Sequence, residues 1–530
     1  MTEKLKSTFR AKATDTLFAS APYAWFLNRS KPNLLKTLQP IFVGNPNRGR
    51  SVQFSDLIET IQSNREPDTV HNLRADCFRW LADLQASDLE TSARIARDIT
   101  EEWIAHHSQW EADVWRLDIL AERLCNWITA GGFLLKGASP RFATNFTEAL
   151  AQQTNHLILA SHLQNDLPAG FAVQKALVFF GVALAGHERT AIRGMTLLKD
   201  TASREVLADG GHYLRDPQAH MHGLKRLIEI REVLDGSQMG PPVWLQGLID
   251  KMTPMLRTFV LGDGKLAAFN GAQLADPGEI ETILQITKIK ARAVTNAPHA
   301  GFQRISARRT VVVMDTGISD LETTPTQESA GTLSFEMSVG KQRLVVNCGA
   351  PDQDNVILST ALRGTPAHST LCLDHTNSSE ISGDGRLGPR IARRIQEVRR
   401  EVDKNTLVEA THDGYLALFG LSHKRALYLS ADGNELRGED TLSGPNAKEA
   451  IIRFHLHPLV QASLVEAGDC VLLRFGKTAG WRFTTSHTKI DLVESLHFDN
   501  AQRRQCQQIE LRFAHSGDRS VVKWRFSKEH

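Results

Sequence analysis

Near residue 300 the spacing of apolar residues changes from a helical period to a period of two, so the chain has two structural regimes. From about Val70 to Leu284 the spacing is helical: Ile95, Ile99 and Trp103 recur every four residues, and Leu224, Leu227, Ile228 and Leu234 make a similar stripe. Such stripes bury one helix face and leave the other to water. The same pattern predicts helices over Trp115–Ala130, Phe142–Gln164, Phe171–Ala185, Ala191–Leu207 and Pro241–Phe259. Gly131-Gly132, Gly186, Asp209-Gly210-Gly211 and the stretch from Gly236 to Pro242 punctuate them. Amphipathic helices on short links must pack on one another, as a bundle, a solenoid or a toroid, and periodicity does not choose among these.

After Ala300, Leu333, Phe335 and Met337 alternate with polar residues, and Val339-Gly340-Lys341 turns the chain into Arg343–Val346. The alternation returns at Leu371 and Leu373, and at Ile452, Phe454 and Leu456. Asp432-Gly433 between two strand candidates is a hairpin signal. Many strands joined by Gly, Asn and Asp turns predict an antiparallel sandwich.

At 530 residues the chain is too long for one core and fits two or three domains. Its net charge of +2 gives no global field for gathering DNA or anionic membranes, although a local basic cleft can still hold a polyanionic glycan. Six cysteines without a CxxC pair read as reduced, mostly buried thiols. Met1–Leu35 alternates charged and apolar residues and does not read as a secretory signal, which places the chain in the cytoplasm. The apolar run Phe171–Ala185 is interrupted by Gln174 and Lys175 and reads as a buried helix rather than a membrane span.

Several segments resemble the heparinase II/III-like family of bacteria. They are Leu333-Ser334-Phe335-Glu336, Leu344 to Gly349, Ala367-His368-Ser369-Thr370-Leu371, Asn377-Ser378-Ser379-Glu380, His412-Asp413-Gly414-Tyr415 and Arg453-Phe454-His455-Leu456. In the helical half, Asp209-Gly210-Gly211-His212 with Arg215-Asp216-Pro217 resembles the family's loop before a long helix. The resemblance runs from about Val70 to the C-terminus. It implies an incomplete (α/α) toroid followed by an antiparallel β-sandwich. The domains would be an N-terminal extension (1–65), the toroid (66–295) and the sandwich (296–530). Active members cleave uronic-acid polysaccharides by β-elimination outside the cytoplasm, so the resemblance implies an acidic polysaccharide partner and a periplasmic site of action. Removing the proton beside a uronate carboxylate requires a group that neutralises that carboxylate, a base and an acid.

Carried over residue by residue, the resemblance leaves those roles poorly filled. The family's neutralising Asn precedes a helix with Lys-Ala-Leu, here Lys175-Ala176-Leu177, and Pro168 falls at its position, with Asn165 three residues away. The family's Tyr in Ser-Pro-x-Tyr-His falls at Ala219 of Asp216-Pro217-Gln218-Ala219-His220, with Tyr213 upstream as a substitute. The His-x-His-x-Asp of active members is replaced by Gln327-Glu328-Ser329-Ala330-Gly331. The zinc ligands of some members map to Ser329, Asn347 and His368, too few for a zinc site, so neither a metal nor another cofactor is expected. The candidate catalytic residues are Tyr213, His220 and His368, and the candidate substrate-binding residues are His212, Arg215 and Asn347. Three functions follow: a lyase acting by β-elimination on a uronic-acid-containing polysaccharide, a catalytically inactive, lyase-like glycan-binding protein, and a purely structural partner protein whose cleft would lack converging basic groups.

Other features have simpler readings. His412-Asp413-Gly414 reads as a tight turn, and His455 and His457 as one solvated strand face. Arg390 to Arg400 reads as a charge-protected edge strand, or as a strip facing a polyanion. Trp80, Trp103, Trp110, Trp115 and Trp127 read as core, or as stacking platforms for sugars. Asp374-His375 lacks the Gly-x-Ser-x-Gly elbow of a hydrolase.

Overall fold

The computed structural model describes residues 14–27, 36–50, 52, 76–87, 90–164, 167–318, 328–351, 356–382, 387–388, 390–465, 468–475, 480–486, 489–499 and 502–529. Asn165 and Gln327, named above, lie outside the described residues. The chain divides into two compact units, residues 1–204 with 225–246, and residues 205–224 with 247–530. The segments 205–224 and 247–295, helical in spacing, therefore group with the β-rich half.

In the first unit the helical stripes become Trp80–Ala86, Ser92–His106, Leu117–Leu135, Pro140–Leu163 and Ala172–Ala183, among others. Pro140–Leu163 starts at Ser139, whose hydroxyl accepts from the Phe142 N–H (3.2 Å), with Pro140 in the first turn where no N–H is needed. The stripes close on one core in which Trp80, Trp103, Trp115 and Trp127 are fully buried beside Phe78 and Phe146. These indoles are packing residues and offer no face to a sugar. Phe18, Tyr23, Leu27 and Leu38 are buried in the same core.

Gly131-Gly132, read as punctuation, lies inside Leu117–Leu135. A Cβ at Gly132 would stand 3.3 Å from Thr37, so close passage of the 36–40 segment explains a glycine there. Lys175, which breaks the apolar run, is buried against Glu229 at 2.6 Å, so its charge is paired inside the unit. Among the described residues no helix is long and apolar enough to cross a membrane.

Among its described residues the second unit has seventeen strands: β1 (Asn296–Ala297), β2 (Phe302–Ala307), β3 (Thr310–Asp315), β4 (Phe335–Val339), β5 (Gln342–Val346), β6 (Leu371–Leu373), β7 (Ile395–Val402), β8 (Asn405–His412), β9 (Ser422–Leu429), β10 (Glu435–Ser443), β11 (Lys448–Leu456), β12 (Gln461–Val465), β13 (Cys470–Arg474), β14 (Trp481–Thr485), β15 (Asp491–Asp499), β16 (Gln502–His515) and β17 (Arg519–Lys528). One antiparallel sheet runs β1-β2-β3-β4-β5-β11-β16-β15, with β6 also on β11; the other runs β12-β13-β14-β17-β10-β9-β8-β7. The Asp432-Gly433 turn joins β9 to β10 as its sequence predicts, with Gly433 at φ +68°. Phe335 of one sheet stacks on Trp524 of the other at 5.7 Å, in the middle of a core drawn from both.

That core also holds a buried polar chain. The Gly414 N–H donates to Nδ1 of His412 (3.1 Å), which leaves Nε2–H of His412 to donate to Nδ1 of His423 (3.1 Å). Nε2–H of His423 then donates to Asp440 (2.7 Å). Arg425 (2.8 and 3.0 Å) and Trp524 Nε1 (2.8 Å) also donate to Asp440. Burial pushes the Asp440 carboxyl up, but Arg425 and His423 hold it well below the usual carboxylate range. His412 ends its strand at the turn that its sequence predicts.

Two strand readings resolve differently. Ile395–Val402 is an edge strand of the second sheet, with Arg399 bonded to Glu401 and Gln303, which is the charge-protected edge reading. His455 is not on a solvated face: it is 2% exposed and bonded to Ser495 Oγ (2.8 Å) and to the Pro366 carbonyl (2.9 Å). Strand alternation indicates which face a residue takes, but here β11 has neighbours on both sides and the face that would meet water is covered.

Candidate functional site

All six candidate residues fall in the second unit, so its geometry alone describes them. His212 and Tyr213 sit on a loop closed by Val206 pairing with His212, by the Leu207 N–H donating to Gly211 O (2.8 Å) and by the Tyr213 N–H donating to Glu205 O (2.9 Å). Asp209 fixes the loop further, accepting from the N–H groups of Gly211 (3.0 Å), His299 and Ala300 (both 2.8 Å). Gly210 is required here: its φ is +88°, and a Cβ would lie 2.1 Å from the Lys251 carbonyl oxygen. Nδ1 of His212 accepts from the Leu214 N–H (3.3 Å), so its Nε2–H faces Glu205 (3.2 Å) and the ring is 1% exposed. Tyr213 is half-buried with its ring 5.1 Å from His212.

Arg215 has a left-handed backbone, φ +54°, and a buried guanidinium that bonds through all three of its nitrogens. It pairs with Asp315, with Glu328 (2.7 Å) and with the Ala300 carbonyl (3.1 Å), and it lies over the Phe302 ring. Its own carbonyl accepts from Asn270 Nδ2 (2.9 Å). A buried guanidinium paired with two carboxylates already has its charge compensated within the protein.

His220 opens the helix Pro217–Asp235, capped by Asp216 through the Gln218 N–H (2.7 Å). Its Nε2–H donates to the Met252 carbonyl (3.0 Å), while Nδ1 is buried without a partner. Burial depresses this imidazole to about 3. A base needs a pKa near the working pH, so His220 is a poor proton acceptor at neutrality.

Asn347 and His368 are brought together through Ser369. Oδ1 of Asn347 accepts from the Ser369 N–H (3.0 Å) and its Nδ2 donates to the Ala268 carbonyl (3.1 Å), so both ends of the amide are spent. Its N–H donates to Glu336 (2.9 Å) and its carbonyl accepts from Nδ1 of His497 (2.9 Å). His368 donates through Nδ1 to the Gly364 carbonyl (2.8 Å), and burial depresses its ring to about 4.

Residues 328–331, which stand where active members carry most of His-x-His-x-Asp, are tied down on both sides. Glu328 pairs with Arg215 and its carbonyl accepts from Arg363 Nε (3.1 Å). The Ala330 N–H donates to Arg363 O (2.8 Å) and the Ala330 carbonyl accepts from Thr365 (2.6 Å). Gly331 faces the His368 ring so closely that a Cβ there would lie 2.6 Å from Cδ2. With His368 placed so, any side chain at residue 331 would require the imidazole to move.

The donor set does not fit zinc. Asn347 offers no carboxylate, its amide is bonded at both ends, and His368 already holds a carbonyl through Nδ1. Among the described residues no group of three or more His, Cys, Asp or Glu is arranged to hold a metal. Partners more than a hundred residues away in sequence, such as Arg215 with Glu328, were invisible to motif reading.

Residues 289–525 match the family model described as Heparinase II/III-like, C-terminal. FtsZ-localized protein C of Caulobacter vibrioides is 30% identical over 460 residues, spanning 82% of this chain and 78% of that protein. A crystal structure of heparinase III superposes with a TM-score of 0.74 at 12% identity, covering 99% of this chain and 91% of that one. Heparan sulfate lyase HepC from Pedobacter heparinus gives 0.59 at 15% identity, covering 99% and 88%. Chondroitin AC lyase of Streptomyces coelicolor A3 gives 0.56 at 9%, covering 96% and 80%. At such identities the solved structures establish the fold, a helical toroid followed by an antiparallel sandwich. The chain belongs to the heparinase II/III-like family, in which it is similar over most of its length to FtsZ-localized protein C.

Proposed function

We propose that this chain is a non-catalytic member of its family, one that keeps the lyase fold as a binding scaffold and localises with FtsZ. The observation that carries the first half is the state of the candidate groups. Arg215 is spent on two carboxylates, Asn347 on two backbone groups, and His220 and His368 are held neutral by burial while bonded to carbonyls. β-Elimination needs a free neutraliser and a base near neutrality in one place, and those four groups provide neither. The second half rests on the relative of 30% identity, whose name records localisation with FtsZ. Binding an acidic polysaccharide without cleaving it is compatible with the same scaffold.

The test pairs two measurements on the full chain. In the first, heparan sulfate, chondroitin, hyaluronan and alginate are incubated with the protein and followed by the ultraviolet absorbance of an unsaturated uronate. In the second, the chain is sedimented with FtsZ filaments. No absorbance rise together with co-sedimentation is expected. A steady rise abolished by Tyr213→Phe would instead establish a rearranged lyase with the half-buried phenol as its base.

A further inference from the structure

The outer face of the second sheet carries a strip of cations on its two middle strands. β10 and β17 pair from Glu435 opposite Ser527 to Ser443 opposite Arg519. Leu436, Leu442, Val522, Trp524 and Phe526 turn inward to the core, so the alternate residues of both strands face outward. Among these, Glu435 is shared by Arg437 (2.6 Å) and Arg525 (3.5 Å), and Glu439 by Arg519 and Lys523 (both 3.9 Å). Four cations therefore meet two carboxylates, a net +2. The two signs also differ in depth. The cation side chains are 48–69% exposed, whereas Glu435 and Glu439 are 19% and 30% exposed, so the strip presents its positive charge outward.

An isolated exposed ion pair needs no function. A strip with twice as many cations as carboxylates is different, because the buried core beneath holds its unmatched charge in fixed register. At ~3.4 Å per residue the outward positions from Arg519 to Arg525 span ~20 Å, and Arg437 lies directly opposite Arg525 on the neighbouring strand. We propose that this strip docks a linear acidic polysaccharide, whose carboxylates or sulfates accept from Arg437, Arg519, Lys523 and Arg525. The surroundings select the occupant. Tyr428, the aromatic ring beside the strip, is already stacked under the Arg437 guanidinium at 5.4 Å, whereas single-stranded nucleic acids rely on open rings for base stacking. A flat sheet face offers no helix or ribbon to a duplex groove. Of the outward side chains only Val521 is a large hydrophobic, 39% exposed, which gives a lipid phase little to hold. None of the six candidate residues belongs to the strip. The inference rests on the reading of this chain as a binding scaffold, and not on its loss of catalysis.

Fluorescence anisotropy of labelled alginate oligosaccharides titrated with the full chain tests it, at ~0.1 M salt. The expected result is saturable binding that weakens about tenfold or more in Arg437→Glu/Arg525→Glu, with the thermal midpoint kept because exposed ion pairs contribute little to stability. Glu435→Gln is expected to bind about threefold tighter, since it frees both guanidiniums, whereas a merely solvated face predicts no change in either variant. Wild-type affinity in the charge-reversed variant puts the glycan elsewhere and overturns the strip while the binding scaffold stands. Absence of any binding also overturns the proposal, and leaves the lost catalysis and the co-sedimentation with FtsZ to their own assays. Equal competition by polyglutamate or by single-stranded DNA, at matched charge concentration, marks a surface for anions in general and sinks the polysaccharide assignment.

Discussion

Lowering the pH from about 7.5 to about 5.5 should weaken the sandwich unit, because it holds several imidazoles neutral that the unfolded chain would protonate. Burial depresses His220 and His455 to about 3 and His368 and His497 to about 4. An imidazole in the unfolded chain titrates near 6.5. A depressed folded pKa means that the stability is present above about 6.5 and is lost as pH falls towards the folded values. Each group removes about 1.4 kcal/mol per pH unit below that point, so four remove roughly 5 kcal/mol by pH ~5.5. Asp216 acts in the opposite direction: burial raises its carboxyl to about 7, so it takes up a proton in the folded state over the same interval. That returns roughly 2 kcal/mol and leaves a net loss of about 3–4 kcal/mol, a large share of the 5–15 kcal/mol typical of a domain. The assay is urea unfolding followed by β-sheet circular dichroism at the two pH values. A midpoint that is unchanged or higher at the lower pH would refute the neutral-histidine account.

Three substitutions probe single features of the same unit. Asp440→Asn removes the carboxylate that Arg425, His423 and Trp524 share, leaves the buried guanidinium uncompensated, and should cost about 3–5 kcal/mol in thermal or urea unfolding. Gly331→Ala should cost about 1–3 kcal/mol through the clash with the His368 ring, and the cost should largely vanish in a His368→Ala background, where a double-mutant cycle reads the coupling. Arg215→Lys keeps the charge but loses the fork between Asp315 and Glu328, and should lower the unfolding midpoint of the unit rather than alter glycan binding.

The fold was legible where a local rule sufficed. The change of period near residue 300 separates helices from strands, and Asp432-Gly433 marks the β9–β10 hairpin because the turn itself demands those residues. Gly131-Gly132 misled because glycine serves close approach as well as turns, and the Thr37 segment beside it is distant in sequence. His455 misled because alternation tells which side of a strand a residue takes but not whether that side is covered. The candidate site was legible only as absence: the family's Asn, Tyr and His-x-His-x-Asp could be seen to be missing. What replaced them could not be seen, since Arg215 with Asp315 and Asn347 with Ser369 are contacts of the folded chain. A whole-chain charge of +2 likewise conceals the strip on β10 and β17 where four cations share two carboxylates.

The central claim is that no group in this protein takes the proton beside a uronate carboxylate, and hydrogen exchange at that carbon tests it without requiring the glycosidic bond to break. Uronate-containing oligosaccharides would be incubated with the full chain in D2O and the signal of that proton followed by NMR, with the protein omitted as control. The account predicts the same slow loss with and without protein. Faster loss with protein, suppressed by Tyr213→Phe or His368→Ala, would contradict it and restore a base to the site.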